Sequence, residues 1–172
     1  MRILSLGSGN NRPIPDAVTL DINPRVSPDI LHDLNKIPWP IDDDAFDLIY
    51  CTDIIEHLAD VVKTMEEIHR VARARARVFV TTPHFSCANS YTDPTHRHHL
   101  GFLSFDYFTG QNQWDFYTNA RFRKVKGELV FRPKFKNKLI WRIANRWPAF
   151  YEEHLAWIFP AWFISFELEV VK

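Results

Sequence analysis

Short apolar runs alternate with one long stretch of helical periodicity along this chain. Five runs have the length and the β-branched or aromatic content of strands, at residues 2–6, 17–21, 29–33, 46–50 and 76–82. Over residues 55–72, apolar residues recur at spacings of three and four, with charged residues off that stripe. This pattern predicts an amphipathic helix that packs on a sheet. The alternation of strands and helix predicts a mostly parallel α/β sheet.

Two further strands are predicted at residues 122–131 and 164–171. The second alternates apolar and polar residues, which is typical of an antiparallel strand at or near a sheet edge. Only about ten residues separate the first two strands, and Pro13 and Pro15 lie among them, whereas a parallel crossover usually takes a dozen or more. We therefore expect the first crossover helix to be short or missing.

Composition narrows the class of protein. With 172 residues, 46% of them hydrophobic, the chain can bury one core and is short for two, so we expect a single domain over residues 1–172. The 21 basic and 21 acidic residues balance, so net charge points to no partner. Cys51 and Cys87 lack metal-type spacing, which favours free thiols in a reducing compartment. Neither a signal-peptide pattern nor a membrane-length apolar run is present, so we expect a soluble, cytoplasmic protein. The oligomeric state stays open.

A glycine-rich turn, "LGSGNN", follows the first predicted strand. Gly7, Ser8 and Gly9 would let the backbone turn sharply and approach a ligand closely. A dinucleotide fingerprint needs a third glycine three residues later, where this chain has Arg12, and the Gly-Lys-Ser/Thr of a P-loop is also absent. The turn therefore does not indicate a pyrophosphate site.

Two carboxylates follow the next two predicted strands. Asp21, in "TLDIN", ends the second strand and suits the two hydroxyls of a ribose. Asp33 ends the third strand and suits the exocyclic amine of an adenine. Together with the glycine turn, these residues predict an adenosine-containing ligand without a pyrophosphate.

The segments "LSLGSGNN", "TLDIN", "HDLNKIPWPIDDDAFDLIYCTDIIEHL" and "VFVTTPH" resemble the class I S-adenosylmethionine-dependent methyltransferases, in their small-molecule branch. The resemblance covers residues 3–84 and implies a Rossmann-like methyltransferase sheet with S-adenosylmethionine as the cofactor. The residues that it assigns to cofactor binding are Gly7, Ser8, Gly9, Asp21, Ile22, Asp33, Leu34, Thr52 and Asp53. The family's Lys-Pro-Gly-Gly turn before the fifth strand is replaced by "ARARAR" at residues 72–77, so the geometry of that turn stays open.

The resemblance implies methyl transfer to a small-molecule or lipid-linked acceptor, for which we favour a hydroxyl. The segments "LGSGNN", "DLNKIPWP" and "PHF…DPTH…FDYF" are similar to methyltransferases associated with surface-glycan synthesis, which suggests a sugar by analogy. The alternative is a non-catalytic sensor or pseudoenzyme that binds S-adenosylmethionine without turning it over.

A histidine-rich segment over residues 83–102 follows the fifth predicted strand. His84 or His96 is the predicted catalytic base, and Asp93 would fix its tautomer. Alternatively, "DPTH" is a turn in which Asp93 bonds backbone amides. A metal site of His84, Asp93 and His96 is the weakest reading, because the spacing carries no recognised signature, and our prediction includes no metal. We expect His57, in "IIEHL", to be a packing and hydrogen-bonding residue.

An insertion over residues 132–163 separates the last two predicted strands. Residues 121–146 contain ten lysines or arginines and one acidic residue. The segment could be a lid over the pocket, an element at a membrane surface or a nucleic-acid contact. The nucleic-acid contact is the least favoured of the three, because "CTDI" lacks the motif of enzymes that methylate base amines. Sheet polarity puts the insertion at the ligand-binding edge. The aromatic residues predicted to line or roof the acceptor pocket include Trp141, Trp147, Phe150, Trp157 and Phe159.

Overall fold

The computed structural model describes residues 1–9, 14–110, 113, 115–133 and 137–172. Seven strands of this part of the chain form a sheet with the order β3-β2-β1-β4-β5-β7-β6. The strands are β1 (Ile3–Leu6), β2 (Val18–Asp21), β3 (Ile30–Leu31), β4 (Phe46–Thr52), β5 (Ala72–Pro83), β6 (Arg121–Val130) and β7 (Phe163–Val171).

The strand directions confirm the predicted Rossmann-like sheet. β1 pairs in parallel with β2 and β4, β2 with β3, and β4 with β5. β7 is antiparallel to both β5 and β6, as its alternating sequence predicted. The carboxyl ends of β1 to β5 therefore meet at one edge, which is where open α/β sheets bind their ligands.

Helices occupy few of the connections. They are α1 (Val61–Val71), α2 (Ala88–Thr92), α3 (Lys138–Arg146) and α4 (Pro148–His154), with 3-10 helices at Pro24–Val26, Ile55–His57, Phe102–Phe108 and Asp115–Tyr117. In the β1–β2 connection, the described residues 7–9 and 14–17 contain no helix, as predicted, while Pro13 lies outside the described residues. Within the described ranges, no helix is long and apolar enough to cross a membrane.

The helix predicted over residues 55–72 is shorter in the structure. α1 begins at Val61, where the Asp60 side chain caps it by accepting a hydrogen bond from the Lys63 amide, with 3.0 Å between nitrogen and oxygen. Residues 55–57 form a separate 3-10 turn. The prediction was wrong there because Ile55 and Leu58 fit the apolar stripe of the helix. Both are buried in the structure, but they lie before α1 begins.

β5 begins earlier than predicted, at Ala72, so "ARARAR" belongs to the strand. The register between β4 and β5 shifts after Phe46, and Arg75 has a positive φ of 67°. This irregularity lets Ala72 and Ala76 both be buried while the two arginines between them stay exposed. The chain thus passes from α1 into β5 without the family's glycine turn.

Residues of α1 hold the loop before β4 against the core. The carboxylate of Glu67 accepts hydrogen bonds from the Trp39 amide and from the Arg70 guanidinium, each with 2.8 Å between nitrogen and oxygen. Trp39 is buried, and its indole N–H donates to the Leu34 carbonyl. Burial by itself would raise the pKa of Glu67, but these hydrogen bonds outweigh it and hold the pKa below its ordinary value.

Candidate functional site

The turn after β1 has a backbone geometry that glycine allows and other residues resist. Gly7 and Gly9 have positive φ values of 58° and 55°. A Cβ on Gly7 would lie 2.6 Å from the Cγ1 atom of Ile54, whereas a Cβ on Gly9 would meet no atom of the described residues within 4 Å. Gly9 therefore faces open space that a ligand can fill. Arg12, where a dinucleotide fingerprint would have its third glycine, lies outside the described residues.

Asp21, at the end of β2, is oriented by the glycine turn. One carboxylate oxygen accepts a hydrogen bond from the Gly9 amide, at 2.9 Å, and the other accepts one from the Asn23 amide, at 2.8 Å. A carboxylate has about four acceptor positions, so each oxygen can also accept a ribose hydroxyl. Ile22 is 63% exposed beside it and offers an apolar surface. The arrangement fits a ribose with its attached base.

Asp33 and Leu34 follow β3 at the same edge. Hydrogen bonds from the Asn35 amide and side chain, at 3.0 and 3.1 Å, fix the Asp33 carboxylate. The backbone hydrogen bond from Asn35 is the main reason why the pKa of Asp33 lies below its ordinary value. Asp33 thus stays a hydrogen-bond acceptor, and its contact with an adenine amine stays a prediction. Leu34 has its side chain in the core, so its backbone is the part available to an adenine.

Thr52 and Asp53 end β4 beside the glycine turn. Thr52 is exposed, and Asp53 has a φ of 51°, which is uncommon outside glycine and is often found at functional sites. The Asp53 amide donates to the Thr81 carbonyl at 3.0 Å, and the Thr81 hydroxyl donates to the Asp53 carboxylate at 3.2 Å. These contacts to β5 hold the strained residue in place.

A cavity of about 570 Å³ opens beyond the ends of β4 and β5. It is lined mainly by polar residues, which include Asp53, Glu56, His57, Asn89, Thr92, Asp93 and His96, together with Pro83, Pro94 and Phe163. The 3-10 turn at Ile55–His57 turns Glu56 and His57 into this cavity. The amides of Arg97 and His98 both donate to the Glu56 carbonyl, at 2.8 and 3.2 Å, which fastens the histidine-rich loop over that turn.

Glu56 has a buried carboxylate whose two oxygens differ in their hydrogen bonding. Its Oε2 atom accepts a hydrogen bond from the Thr82 hydroxyl at 3.0 Å. Its Oε1 atom has no hydrogen-bond partner among the described residues and lies 3.9 Å from the Nε2 atom of His96. Burial raises the pKa of the Glu56 carboxyl above its ordinary value.

Hydrogen bonds assign the tautomers of the two cavity histidines. The Nδ1 atom of His96 lies 3.1 Å from the Ser90 carbonyl oxygen, which can only accept, so Nδ1 carries the hydrogen and Nε2 keeps a lone pair. The Thr95 hydroxyl donates to Asp93 at 2.6 Å, so His57 Nδ1, at 2.9 Å, donates to Thr95. The two imidazole rings are 4.6 Å apart. Burial is the first reason why the pKa of His57 lies below its ordinary value; the second is the nearby His96 ring, because two protonated imidazoles so close together would repel each other.

The structure separates the predicted catalytic residues. His84 is fully buried; its Nε2 donates to Glu152 at 3.0 Å, and its Nδ1 accepts from the Ser86 amide at 3.2 Å. Because both ring nitrogens are used, His84 has no lone pair to offer an acceptor, which corrects its prediction as a base. Asp93 lines the cavity but bonds Thr95, and the group oriented through Thr95 is His57, not His96. His96 lies in the cavity, and its role as a base stays a prediction.

Sequence reasoning missed the grouping of Glu56 and His57 with His96. The set considered for a metal was His84, Asp93 and His96, but the described residues instead bring ligand atoms of Glu56, His57 and His96 within 4.8 Å of one another. "DIIEHL" was the available signal. His57 is a hydrogen-bonding residue as predicted, through Thr95, but the 3-10 turn presents it to the cavity together with Glu56.

The insertion lies at the predicted edge of the sheet but does not roof this cavity. The His84 amide donates to the Trp162 carbonyl at 3.1 Å, and Asn145 bonds the backbone of Leu129 near the end of β6. The described lining of the cavity includes Phe163 but none of the five aromatic residues predicted to cover it. Four of the five are exposed, namely Trp141, Trp147, Phe150 and Trp157. Phe159 packs against the core instead. In the structure, α3 and α4 pack beside β6 and the 3-10 helix Phe102–Phe108, and a lid over the acceptor stays a prediction.

Comparisons with known proteins agree with this geometry. Residues 15–80 match the family model described as a methyltransferase domain. The comparison with curated protein sequences gave no significant match. A S-adenosylmethionine-dependent methyltransferase from Archaeoglobus fulgidus is similar in structure, with a TM-score of 0.64 and 18% identity over 98% of this chain and 85% of that one. Another, from Mesorhizobium loti, has a TM-score of 0.62 and 15% identity over 98% of this chain and 90% of that one.

The same fold also carries other chemistry. SpnF, a [4+2]-cyclase, has a TM-score of 0.60 to this chain and 18% identity, over 99% of this chain and 74% of SpnF. At such identities the structural likeness establishes the α/β methyltransferase fold and not the reaction. The methyltransferase-domain match, taken with that fold, supports S-adenosylmethionine as the cofactor and a S-adenosylmethionine-dependent methyltransferase in general.

Proposed function

We propose that this chain transfers the methyl group of S-adenosylmethionine to a hydroxyl oxygen of a small or lipid-linked acceptor, and that the acceptor is a sugar. The observation that carries the proposal is a shared edge of the sheet. Gly9 and Asp21 form a cradle for an adenosine at the ends of β1 and β2. The polar cavity that contains Glu56 and His96 opens at the ends of β4 and β5.

The cofactor side of the site has a simple task. S-adenosylmethionine, when bound, supplies a methyl group on a sulfonium that is already a good leaving group. Asp21 would hold the ribose, Asp33 the adenine amine, and Asp53 the methionine end. What remains for the protein is to orient the acceptor and to help it lose a proton.

The acceptor side carries the groups for that proton. The acceptor oxygen attacks the methyl carbon, the carbon–sulfur bond breaks with its electron pair on sulfur, and the hydroxyl proton leaves. The products are a methyl ether, S-adenosylhomocysteine and the proton. The Nε2 lone pair of His96 and the Oε1 atom of Glu56 face the cavity and are the groups nearest to this event.

The cavity lining favours a polyhydroxylated acceptor. Asp53, Asn89 and Asp93 line it together with the histidines, and carboxylate and amide groups are the partners that sugar hydroxyls use. Asp53 and Asp93 keep acceptor positions beyond those used by Thr81 and Thr95, and a flat apolar acceptor would leave these positions unused. This reasoning, together with the sequence resemblance, supports a sugar.

Exposed side chains of the insertion favour a lipid-linked form of that acceptor. Six large apolar side chains of the insertion are exposed: Leu139, Trp141, Trp147, Phe150, Trp157 and Ile158, at 43–68% of their surface. Arg142 and Arg146 are exposed beside them on α3. Aromatic and basic side chains together are typical of elements that rest on anionic membranes, and we propose peripheral membrane contact here.

The direct test is release of S-adenosylhomocysteine with a panel of free and lipid-linked sugars. We expect product with at least one hydroxyl acceptor and its loss in Asp21→Asn, with His154→Gln as a control that retains activity. His154 is exposed and does not belong to the described cavity lining. Binding of S-adenosylmethionine without any product across the panel would favour the alternative, a sensor or pseudoenzyme.

A further inference from the structure

Ligand atoms of Glu56, His57 and His96 lie close together in the polar cavity. Glu56 Oε1 is buried and has no partner among the described residues. His96 Nε2 lies 3.9 Å from it and keeps a lone pair, because Nδ1 donates to Ser90. His57 likewise donates from Nδ1 to Thr95, so Nε2 is the lone pair that it can offer. A buried acceptor without a partner is costly, so the surroundings of Glu56 Oε1 require an explanation.

A shared proton does not account for this arrangement. If Glu56 and His96 shared one, the two atoms would lie about 2.7–2.9 Å apart, as in other charge-assisted hydrogen bonds. The observed 3.9 Å is too long for such a bond. The distance is instead close to the separation of two ligands on one metal ion, because bonds of about 2.1 Å place neighbouring ligand atoms about 3 to 3.5 Å apart.

A second layer of hydrogen bonds orients each of the three groups. Thr82 donates to the other oxygen of Glu56 at 3.0 Å, and Ser90 accepts from His96. The hydroxyl of Thr95 accepts from His57 and donates to Asp93, which forms a histidine–threonine–carboxylate chain. Metal-binding histidines usually donate their other ring hydrogen to a carbonyl or a carboxylate, directly or through such a group. Both histidines here follow that pattern.

We propose that Glu56, His57 and His96 bind a divalent first-row transition metal ion. Ligand atoms of all three lie within 4.8 Å of one another, so small side-chain rotations bring them onto one ion. Two imidazoles and one carboxylate suit zinc, iron(II), manganese or cobalt, and three protein ligands leave coordination positions open. The open positions face the cavity, where Asp53 lies in the same lining.

Such an ion would activate the acceptor, a role that rests on the proposed function. A hydroxyl oxygen held at an open position would lose its proton more easily, because the ion would stabilise the resulting alkoxide. With Glu56 and His96 occupied as ligands, that proton would pass to solvent in the cavity. The ion would thereby activate the acceptor and fix it beside the methionine end of the cofactor site. Metal binding itself depends on neither the cofactor nor the acceptor, so it can be tested without them.

Cobalt(II) is the probe for the experiment, because its visible absorption reports the ligands as well as the occupancy. The full chain, stripped with a chelator, is titrated with Co²⁺ in the absence of S-adenosylmethionine, and competition with Zn²⁺ and Mn²⁺ follows. We expect one equivalent to bind per chain. Glu56→Gln and His96→Gln should weaken binding tenfold or more, whereas His154→Gln, an exposed histidine elsewhere, should bind as the unaltered chain does.

Two further measurements keep the result interpretable. Should these variants fail to fold by circular dichroism, Thr95→Val, in an exposed loop, removes the hydroxyl that accepts from His57 and donates to Asp93, and should weaken Co²⁺ binding about 10–100-fold. Absence of stoichiometric binding, or equal binding by the Glu56→Gln and His154→Gln chains, would overturn the metal site. Methyl transfer is measured separately. Activity that persists after complete metal removal would therefore overturn the role of the ion while leaving the proposed methyltransferase intact.

Discussion

The carboxylate of Asp21 and the backbone amide of Gly9 are joined by a hydrogen bond of 2.9 Å between oxygen and nitrogen. This bond ties the end of β2 to the glycine turn after β1, although 12 residues separate the two in sequence. Because Asn23 donates to the other oxygen, the carboxylate plane is fixed before any ligand arrives. Such preorganisation reduces the cost of binding a ribose.

Replacing Asp21 by asparagine should weaken S-adenosylmethionine binding about tenfold or more, since each hydrogen bond to a charged group contributes about 1.5–3 kcal/mol. Both oxygens accept from backbone amides, so the new NH₂ group would also face a donor. Calorimetry measures the affinity, and Asp42→Asn, an exposed aspartate before β4, is the matched control. Equal affinities for the two variants would contradict the ribose assignment.

The two glycines of the turn should respond differently to alanine. Gly7→Ala combines a left-handed backbone, which costs about 1–2 kcal/mol, with a Cβ placed 2.6 Å from Ile54. Gly9→Ala carries the backbone cost alone, but puts its Cβ into the space expected for the cofactor. Urea unfolding should therefore show the larger loss of stability for Gly7→Ala, and calorimetry a loss of cofactor affinity for Gly9→Ala.

Truncating Ile54 is the control for the steric part of this difference. In the Gly7→Ala chain, the further change Ile54→Ala should return part of the lost stability, because the two side chains no longer collide. If the double variant is less stable by the sum of the two single changes, the contact between them is not the cause.

Glu152 should anchor the insertion to the sheet. Its Oε1 atom accepts hydrogen bonds from the His84 ring, at 3.0 Å, and from the Phe102 amide. Glu152→Leu leaves both buried donors without a partner and should lower the free energy of unfolding by about 2–4 kcal/mol. Glu153→Leu, at the exposed neighbouring position, should change it little. Urea denaturation compares the two; similar losses would mean that α4 is not held through Glu152.

Acid should weaken the fold through Glu67. Its pKa is lower in the folded chain than its ordinary value of 4.5, so the unfolded chain binds the proton more readily. The stabilisation is therefore complete above that ordinary value and is lost as the pH falls through the folded pKa. Urea denaturation between neutral pH and the acid range should show this decline in the unaltered chain and a shallower decline in Glu67→Gln. Parallel curves would exclude Glu67 as a source of the acid sensitivity.

The sequence predicted best what depends on backbone periodicity and on the chemistry of short motifs. Parallel strands, the antiparallel β7 and the positive φ of Gly7 and Gly9 follow from apolar runs, alternation and glycine placement. Asp21 could be placed because the end of a parallel strand fixes where its next side chain lies. These features need no knowledge of distant contacts.

The polar cavity could not be predicted in the same way. Glu56 and His96 are 40 positions apart, and their approach depends on a loop fastened by hydrogen bonds from Arg97 and His98 to a backbone carbonyl. The amino-acid sequence does not show which backbone groups will form such hydrogen bonds. The prediction of His84 as a base has a related weakness, because its hydrogen-bond partner, Glu152, lies 68 residues away in the insertion. The periodicity of α1 likewise hid the 3-10 turn at Ile55–His57.

The exposed apolar side chains of the insertion predict binding to anionic vesicles. Trp157 and Ile158 are each 68% exposed, and burying side chains of this size in a lipid interface is worth about 1.5–3 kcal/mol each. Trp157→Ser with Ile158→Ser should therefore reduce co-sedimentation with phosphatidylglycerol vesicles about tenfold or more. Phe116→Ser is the matched control, because Phe116 is 67% exposed but lies outside the insertion.

Vesicle charge separates the two contributions to that binding. The exposed Arg142 and Arg146 should make binding to anionic vesicles stronger than to phosphatidylcholine vesicles, and added salt should remove the difference by screening. The serine substitutions should weaken binding to both kinds of vesicle, because the apolar contribution does not depend on lipid charge. If Phe116→Ser reduces binding as much as the double variant does, the insertion is not the membrane-facing element. A free sugar would then be the better acceptor to pursue, since nothing would hold the cavity near a lipid carrier.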